Sequence, residues 1–215
     1  MKAEAGRISA HLHTCATGHQ RFMVAIAGPP GSGKTTLADE IKSTLVSLGE
    51  TAVVVPMDGY HLDDIILNAR GLRARKGAQH TFDAAGFTHL LRRIRDREPD
   101  VYLPVFDRKL ELSRAAADVV ASDTRFILVE GLYLLLNRSP WDELKPLFDH
   151  TIFLNVPEAE LIHRLTQRIL SLGFDAAYAK NWIASNDLLN MQDVIANSTK
   201  ADTTISNVRV PTASS

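Results

Sequence analysis

Short, unbroken apolar runs alternate with amphipathic ones along this chain. Phe22–Ala27, Thr51–Pro56, Phe126–Val129 and Thr151–Val156 are continuous and rich in β-branched residues, the pattern of strands covered on both faces. Between them, Thr36–Leu48, residues 87–97 and residues 157–172 place apolar positions at helical spacing. In the second of these, Phe87, Leu90, Leu91 and Ile94 recur on one side, with Arg92, Arg93, Arg95 and Arg97 largely on the other. Pro157 and Glu158 open the third of them, a good helix start. Residues 1–20 read as a short helix or arm, residues 62–86 as irregular or briefly helical, residues 175–196 as helical and Thr203–Val208 as a last strand. Val101–Phe106 reads as extended, but Pro104 argues against a central position in a sheet. The tail from Pro211 to Ser215 reads as frayed. Strands alternating with helices predict a mostly parallel sheet with helices on both faces, in one domain spanning 1–215.

Between the first apolar run and the helix after it lies Gly28-Pro29-Pro30-Gly31-Ser32-Gly33-Lys34-Thr35-Thr36. It fits G-x-x-x-x-G-K-[ST], and its setting between strand and helix is the one that motif requires. Glycines let the backbone turn tightly and aim N–H groups at an anion, and the helix start adds the positive end of its dipole. Lys34 can reach the β- and γ-phosphates, and the Thr35 hydroxyl can hold Mg²⁺. The expected fold is therefore the three-layer P-loop nucleoside triphosphate hydrolase fold, with a small helical lid at about 157–185.

Composition narrows the function. A chain of 215 residues suffices for one α/β domain with a full core. The formal net charge of −1 gives no global attraction to nucleic acid or to an anionic membrane, which weighs against a nucleic-acid-dependent ATPase. The single Cys15 excludes an internal disulfide and fits a reducing compartment. No stretch is apolar enough for a signal peptide or a membrane span, so a cytoplasmic protein is expected. His11, His13 and His19 lie among polar residues and read as a solvated segment rather than a metal site.

Ligands of an open parallel sheet bind at the carboxyl ends of its strands. Two acids fall there. Glu130 ends the Phe126–Val129 run and resembles the Walker B acid that supports Mg²⁺. Asp58 follows the Thr51–Pro56 run, across the site from the nucleotide, where a base could accept a proton from an acceptor hydroxyl. Arg164 and Arg168 are four apart and share a helix face. They serve either as lid arginines over the phosphates or as a solvated basic face. The cluster Arg70, Arg73, Arg75 and Lys76 either contacts an anionic substrate or is an exposed charged loop.

These segments together resemble the phosphoribulokinase/uridine kinase/pantothenate kinase family of P-loop kinases. The resemblance rests on the phosphate loop, Met57-Asp58-Gly59-Tyr60-His61, Arg75-Lys76-Gly77-Ala78-Gln79-His80-Thr81-Phe82-Asp83, Pro104-Val105-Phe106-Asp107-Arg108, Val129-Glu130-Gly131 and Arg164-Leu165-Thr166-Gln167-Arg168. It implies phosphorylation of a small metabolite's hydroxyl by ATP and Mg²⁺. Asp58 would be the base, Lys34 and Thr35 the phosphate and magnesium contacts, Glu130 a metal ligand, and Arg164 and Arg168 the lid arginines. Arg75, Lys76 and Asp83 fall in a segment that borders the acceptor. His61, Phe106 and Arg108 complete the expected acceptor site. Such kinases often form dimers.

Uridine kinases carry tyrosine and histidine where this chain has Phe106 and Glu111, which argues against a pyrimidine nucleoside. Pantothenate kinases carry Pro-Val-Tyr-Ser-His where this chain has Pro104–Arg108. The pattern is most similar to a bacterial branch labelled as kinases of fructose-transport operons, which implies a sugar acceptor; Asp58, His61, Asp107, Arg108 and Glu111 are polar residues suited to sugar hydroxyls and equally to other polar metabolites, pantothenate or a nucleoside being the alternatives. The competing class is a regulatory GTPase, for which Asp83-Ala84-Ala85-Gly86 and Thr199-Lys200-Ala201-Asp202 supply the required strings. Neither stands at the strand position that class needs.

Overall fold

A computed structural model describes residues 2–207; Val208 and the segment Pro211–Ser215 lie outside the described residues. Strands β1 (Phe22–Ala27), β2 (Ala52–Pro56), β5 (Phe126–Gly131), β6 (His150–Asn155) and β7 (Thr203–Ser206) form one parallel sheet in the order β2-β5-β1-β6-β7. The two central neighbours β1 and β5 are buried at every position, which is why both read as continuous apolar runs rather than alternating ones.

The period of two in a strand sorts the core into two layers. Met23, Ala25, Ala27, Ile127 and Val129 face α4 (Ala84–Arg95), which supplies Phe87, Leu90, Leu91 and Ile94. Phe22, Val24, Ile26, Phe126 and Leu128 face α1 (Lys2–Cys15) and α2 (Lys34–Ser47), through Ile8, Leu12, Leu37, Ile41 and Leu45. This is the expected three-layer α/β arrangement, and the N-terminal arm is helix. No helix among the described residues is long and apolar enough to cross a membrane.

Two features depart from the pattern read in the sequence. β3 (Val101–Asp107) pairs antiparallel with β4 (Leu112–Val120) in a separate two-stranded sheet. Pro104 is tolerated there because such a ribbon has only edge strands. The predicted helical run 175–196 is three pieces: α6 (Ala176–Trp182), a π turn over Ile183–Asp187 and α7 (Leu188–Asn197). With α5 (Glu158–Ser171) these pieces form a third small core of Leu161, Leu165, Ile169, Ala179, Ile183 and Met191.

The hairpin is held against the body at Gly59. A Cβ added to Gly59 would stand 2.2 Å from the carbonyl oxygen of Pro104 and 2.8 Å from its carbon. Backbone cannot yield there as a flexible side chain would. Gly59→Ala is expected to push the hairpin off the β2 end and to lower unfolding free energy by about 1–3 kcal/mol, the usual cost of overpacking. Chemical denaturation checks this; an unchanged midpoint would mean that the contact is not tight.

Candidate active site

The loop between β1 and α2 is shaped by glycines at the positions that need them. Gly28, Gly31 and Gly33 have φ of 152°, 76° and 93°, values that side-chain-bearing residues rarely adopt. Gly28 also packs against β6, where an added Cβ would meet the Leu154 carbonyl oxygen at 2.9 Å. Gly33 is the N-cap of α2 and offers no side-chain oxygen, so the first N–H groups of the helix stay available to an anion. The Ser32 carbonyl is held by Asn207 Nδ2 at 2.7 Å and by Arg164 Nη1 at 3.5 Å.

Lys34 folds over this loop and donates from Nζ to the Pro29 carbonyl at 3.0 Å. Its side chain is buried, and burial pushes its pKa down. Thr35 Oγ1 donates to Glu130 Oε1 at 3.3 Å. Burial, reinforced by the charge of Asp58, raises the Glu130 carboxyl to about 7 despite the opposing pull of Lys34. A hydroxyl beside a carboxylate is a hard oxygen donor pair, so the residues present fit Mg²⁺.

Asp58 sits on the short turn Met57–Tyr60 that follows β2. Arg108, at the end of the hairpin, donates from Nη2 to Asp58 Oδ2 at 2.7 Å. This contact explains why the hairpin matters: it carries a cation from another sheet to the candidate base. His61 stacks on Phe82 with ring centroids 4.0 Å apart and lies 4.9 Å from the ring of Phe106. Lys76 is buried, stands 5.2 Å above the Phe106 ring and donates to Asp64 Oδ1 at 2.8 Å and to the Glu111 carbonyl at 3.0 Å.

One cavity of about 750 Å³ joins these groups. Its lining includes Pro30, Gly31, Gly33, Lys34, Thr35 and Thr36 of the loop, and Asp58, His61, Lys76, Phe106, Arg108 and Glu130 around the acceptor side. Arg164 and Arg168 line it from α5. They differ in commitment. Arg164 is tied to Glu160 Oε1 at 2.6 Å and the Asn207 carbonyl at 2.9 Å, so it braces the loop. Arg168 makes no side-chain hydrogen bond among the described residues, and burial lowers its pKa. It is the arginine free to meet a phosphate.

Two expected acceptor residues lie elsewhere, and their placement is a correction. Asp83 is exposed and caps α4, its Oδ1 accepting from the Gly86 N–H at 2.9 Å. Arg75 does not itself line the cavity; it clasps the π turn and the start of α7, donating to the Ser185 carbonyl, Asn186 Oδ1 and Asn190 Oδ1 at 2.7, 2.9 and 3.0 Å. It therefore fastens the α6–α7 region to the loop that carries Lys76. Asp107, also read as a sugar contact, spends Oδ1 on the N–H groups of Lys109 and Leu110. The strings that resemble GTPase motifs are structural as well: Asp83–Gly86 is the cap and first turn of α4, and Asp202 holds Thr151 through its N–H and hydroxyl.

The lining also contains residues that sequence reasoning passed over. Phe174, Tyr178 and Trp182 are successive rings four residues apart, with centroid spacings of 4.4 and 6.2 Å and nearly parallel planes. Asp187 lines the cavity from the π turn, with its carboxyl pushed up to about 6 by burial. A signal existed only for the rings, whose i, i+4 spacing is visible but also marks ordinary helix packing.

His61 gives a pH prediction. Burial lowers its pKa to about 4, below the ordinary value near 6.5. The unfolded chain therefore binds a proton more readily, and the stability from neutral His61 is present above pH 6.5 and lost as pH falls toward 4. Unfolding free energy should drop by about 2 kcal/mol between pH 7 and pH 5 on this account. Urea titrations of wild type and His61→Gln check it; equal pH slopes in the two proteins would refute it.

A phosphate loop opening a helix, an acid ending the adjacent strand and a second acid across a shared cavity define a P-loop kinase. A model of the phosphoribulokinase/uridine kinase family matches residues 23–209, and the chain belongs to that family. It is 37% identical over 151 residues to "ATP-dependent kinase-like protein notR'" of Aspergillus versicolor, covering 66% of this chain and 88% of that one. It is 33% identical over 204 residues to "Putative uridine kinase C227.14" of Schizosaccharomyces pombe, covering 90% and 86%. Among solved structures, the "putative fructose transport system kinase" of Silicibacter sp. TM1040 superposes with a TM-score of 0.89 at 37% identity, over 94% of this chain and 98% of that one.

Proposed function

We propose that this kinase transfers the γ-phosphoryl group of ATP to a hydroxyl of a small polar metabolite, with a sugar such as fructose as the first acceptor to test. The observation that carries this reading is Asp58, placed in the same cavity as Lys34, Thr35 and Glu130 and paired with Arg108. Asp58 takes the proton of the acceptor hydroxyl as its oxygen attacks the γ-phosphorus. The bond between that phosphorus and the β–γ bridging oxygen breaks, and ADP leaves with the bond's electrons. Lys34 and Arg168 hold the phosphate oxygens, and the N–H groups at the start of α2 bind the β-phosphate. Thr35 and Glu130 would hold Mg²⁺, which supplies charge neutralisation between the phosphates when bound. His61, Lys76, Phe106 and Arg108 border the acceptor.

The name carried by the Silicibacter relative supports the sugar reading. One observation favours a second acceptor class: the parallel rings of Phe174, Tyr178 and Trp182 on the cavity wall suit a flat heteroaromatic group, as in a nucleoside. ADP release from Mg-ATP, measured against sugars, nucleosides, pantothenate and other vitamins, separates them. Turnover with one sugar above the rate of ATP hydrolysis by water supports the first reading. Turnover with nucleosides alone selects the second. ATP binding without turnover on any hydroxyl compound would overturn the kinase assignment in favour of a regulatory nucleotide-binding protein.

A further inference from the structure

Away from the cavity, three side chains of metal-ligand type converge where α1 crosses the start of β6. His11 and Cys15 are four residues apart on α1 and so share one face. His150 is the first residue of β6 and is buried. Each offers a ligand atom, and the three atoms lie within 4.8 Å of one another. Cys15 Sγ is 3.6 Å from His11 Nε2. The His11 and His150 rings meet nearly edge to face, at a centroid distance of 5.3 Å and an interplanar angle of 70°.

A tetrahedral zinc centre has Zn–S of about 2.3 Å and Zn–N of about 2.0–2.1 Å, which puts ligand atoms roughly 3.3–3.6 Å apart. The Cys15–His11 separation already equals one such edge. Closing the third corner takes about 1 Å of side-chain rotation. An outer partner is also in place: His150 Nε2 lies 2.9 Å from Thr203 Oγ1 on β7. When Thr203 accepts from that N–H, the lone pair is on Nδ1, the arrangement that orients a metal-bound imidazole. One sulfur and two imidazoles form a soft donor set, unlike the oxygen pair of Thr35 and Glu130, and select Zn²⁺ or Co²⁺ over Mg²⁺. His11 is exposed and Cys15 half-buried, so a fourth position faces solvent and a water can fill it.

We propose that His11, Cys15 and His150 form a three-ligand site for a thiophilic divalent cation of the zinc class, which staples α1 to β6. Binding releases the thiol proton, since the thiolate is the ligand. The site lies at the amino end of β6, whereas the phosphate loop follows the carboxyl end of β1, so its role is to stabilise the α1 layer.

The test is Co²⁺ titration of the metal-stripped full chain, read by the thiolate-to-cobalt charge-transfer band and the visible bands of tetrahedral cobalt. One equivalent is expected to bind with both signatures and to be displaced by Zn²⁺, which also raises the melting temperature. Cys15→Ser should abolish the charge-transfer band. His11→Gln, at an exposed position on α1, should weaken binding at least ~10-fold, and Thr203→Val by ~10–100-fold through the orientation of His150. No band in the wild type would overturn the proposal. So would a band that survives undiminished in both His11→Gln and His150→Gln, because cobalt would then be on the cysteine alone.

Discussion

Lys34→Ala is expected to lower ATP-dependent phosphoryl transfer by roughly 10³-fold or more, the scale on which a single preorganised donor to transition-state charge acts. Nζ is folded onto the Pro29 carbonyl at 3.0 Å, inside the loop that would wrap the phosphates. That carbonyl is a placeholder of the same acceptor chemistry as a phosphate oxygen, so little rearrangement is needed to exchange one for the other. Arg168 cannot substitute, because it reaches the cavity from α5, on the lid side. The variant should not be less stable. Burial disfavours the charged lysine in the folded protein, and alanine removes that cost. Loss of turnover with an unchanged or raised melting temperature is therefore the expected pair of results. Turnover within tenfold of wild type would remove Lys34 from the mechanism.

The parallel sheet and the phosphate loop were legible because each leaves a local mark. A strand buried on both faces must be apolar throughout, and a loop with three positive-φ positions must carry glycine there. β4 left none. Its Ser113–Asp118 stretch is mostly exposed and shows no apolar alternation, so its strand form comes from pairing with β3, which is a tertiary fact. The consequence for the site was large, since the reach of Arg108 to Asp58 depends on that pairing. The family resemblance assigns Arg75 and Asp83 to a segment that borders the acceptor. In the fold, one clasps the π turn and the start of α7 and the other is used up as a helix cap. The His11–Cys15–His150 cluster was invisible for the opposite reason: its third member comes from a distant strand, and two residues of three look like a solvated helix face.

Asp58→Asn is expected to cut phosphoryl transfer by roughly 10²-fold or more while leaving ATP affinity nearly unchanged, because the amide keeps the shape of the side chain but loses its negative charge and its ability to accept a proton. The surroundings favour a clean result. Arg108 loses an anionic partner, but it is more than half exposed, so its charge remains hydrated and the structural cost is small. Glu130 gains, because the charge of Asp58 is one of the causes that raise its carboxyl toward 7. Removing that charge favours the ionised form, the one that can hold Mg²⁺ beside Thr35. Nucleotide and metal binding should thus hold steady or tighten as transfer fails. Equilibrium binding of Mg-ATP and single-turnover transfer, measured on the same preparation, read the two effects separately. Transfer at the wild-type rate would mean that the acceptor proton leaves by another route and that Asp58 serves only to position Arg108. A parallel loss of ATP binding would instead place Asp58 in the nucleotide site.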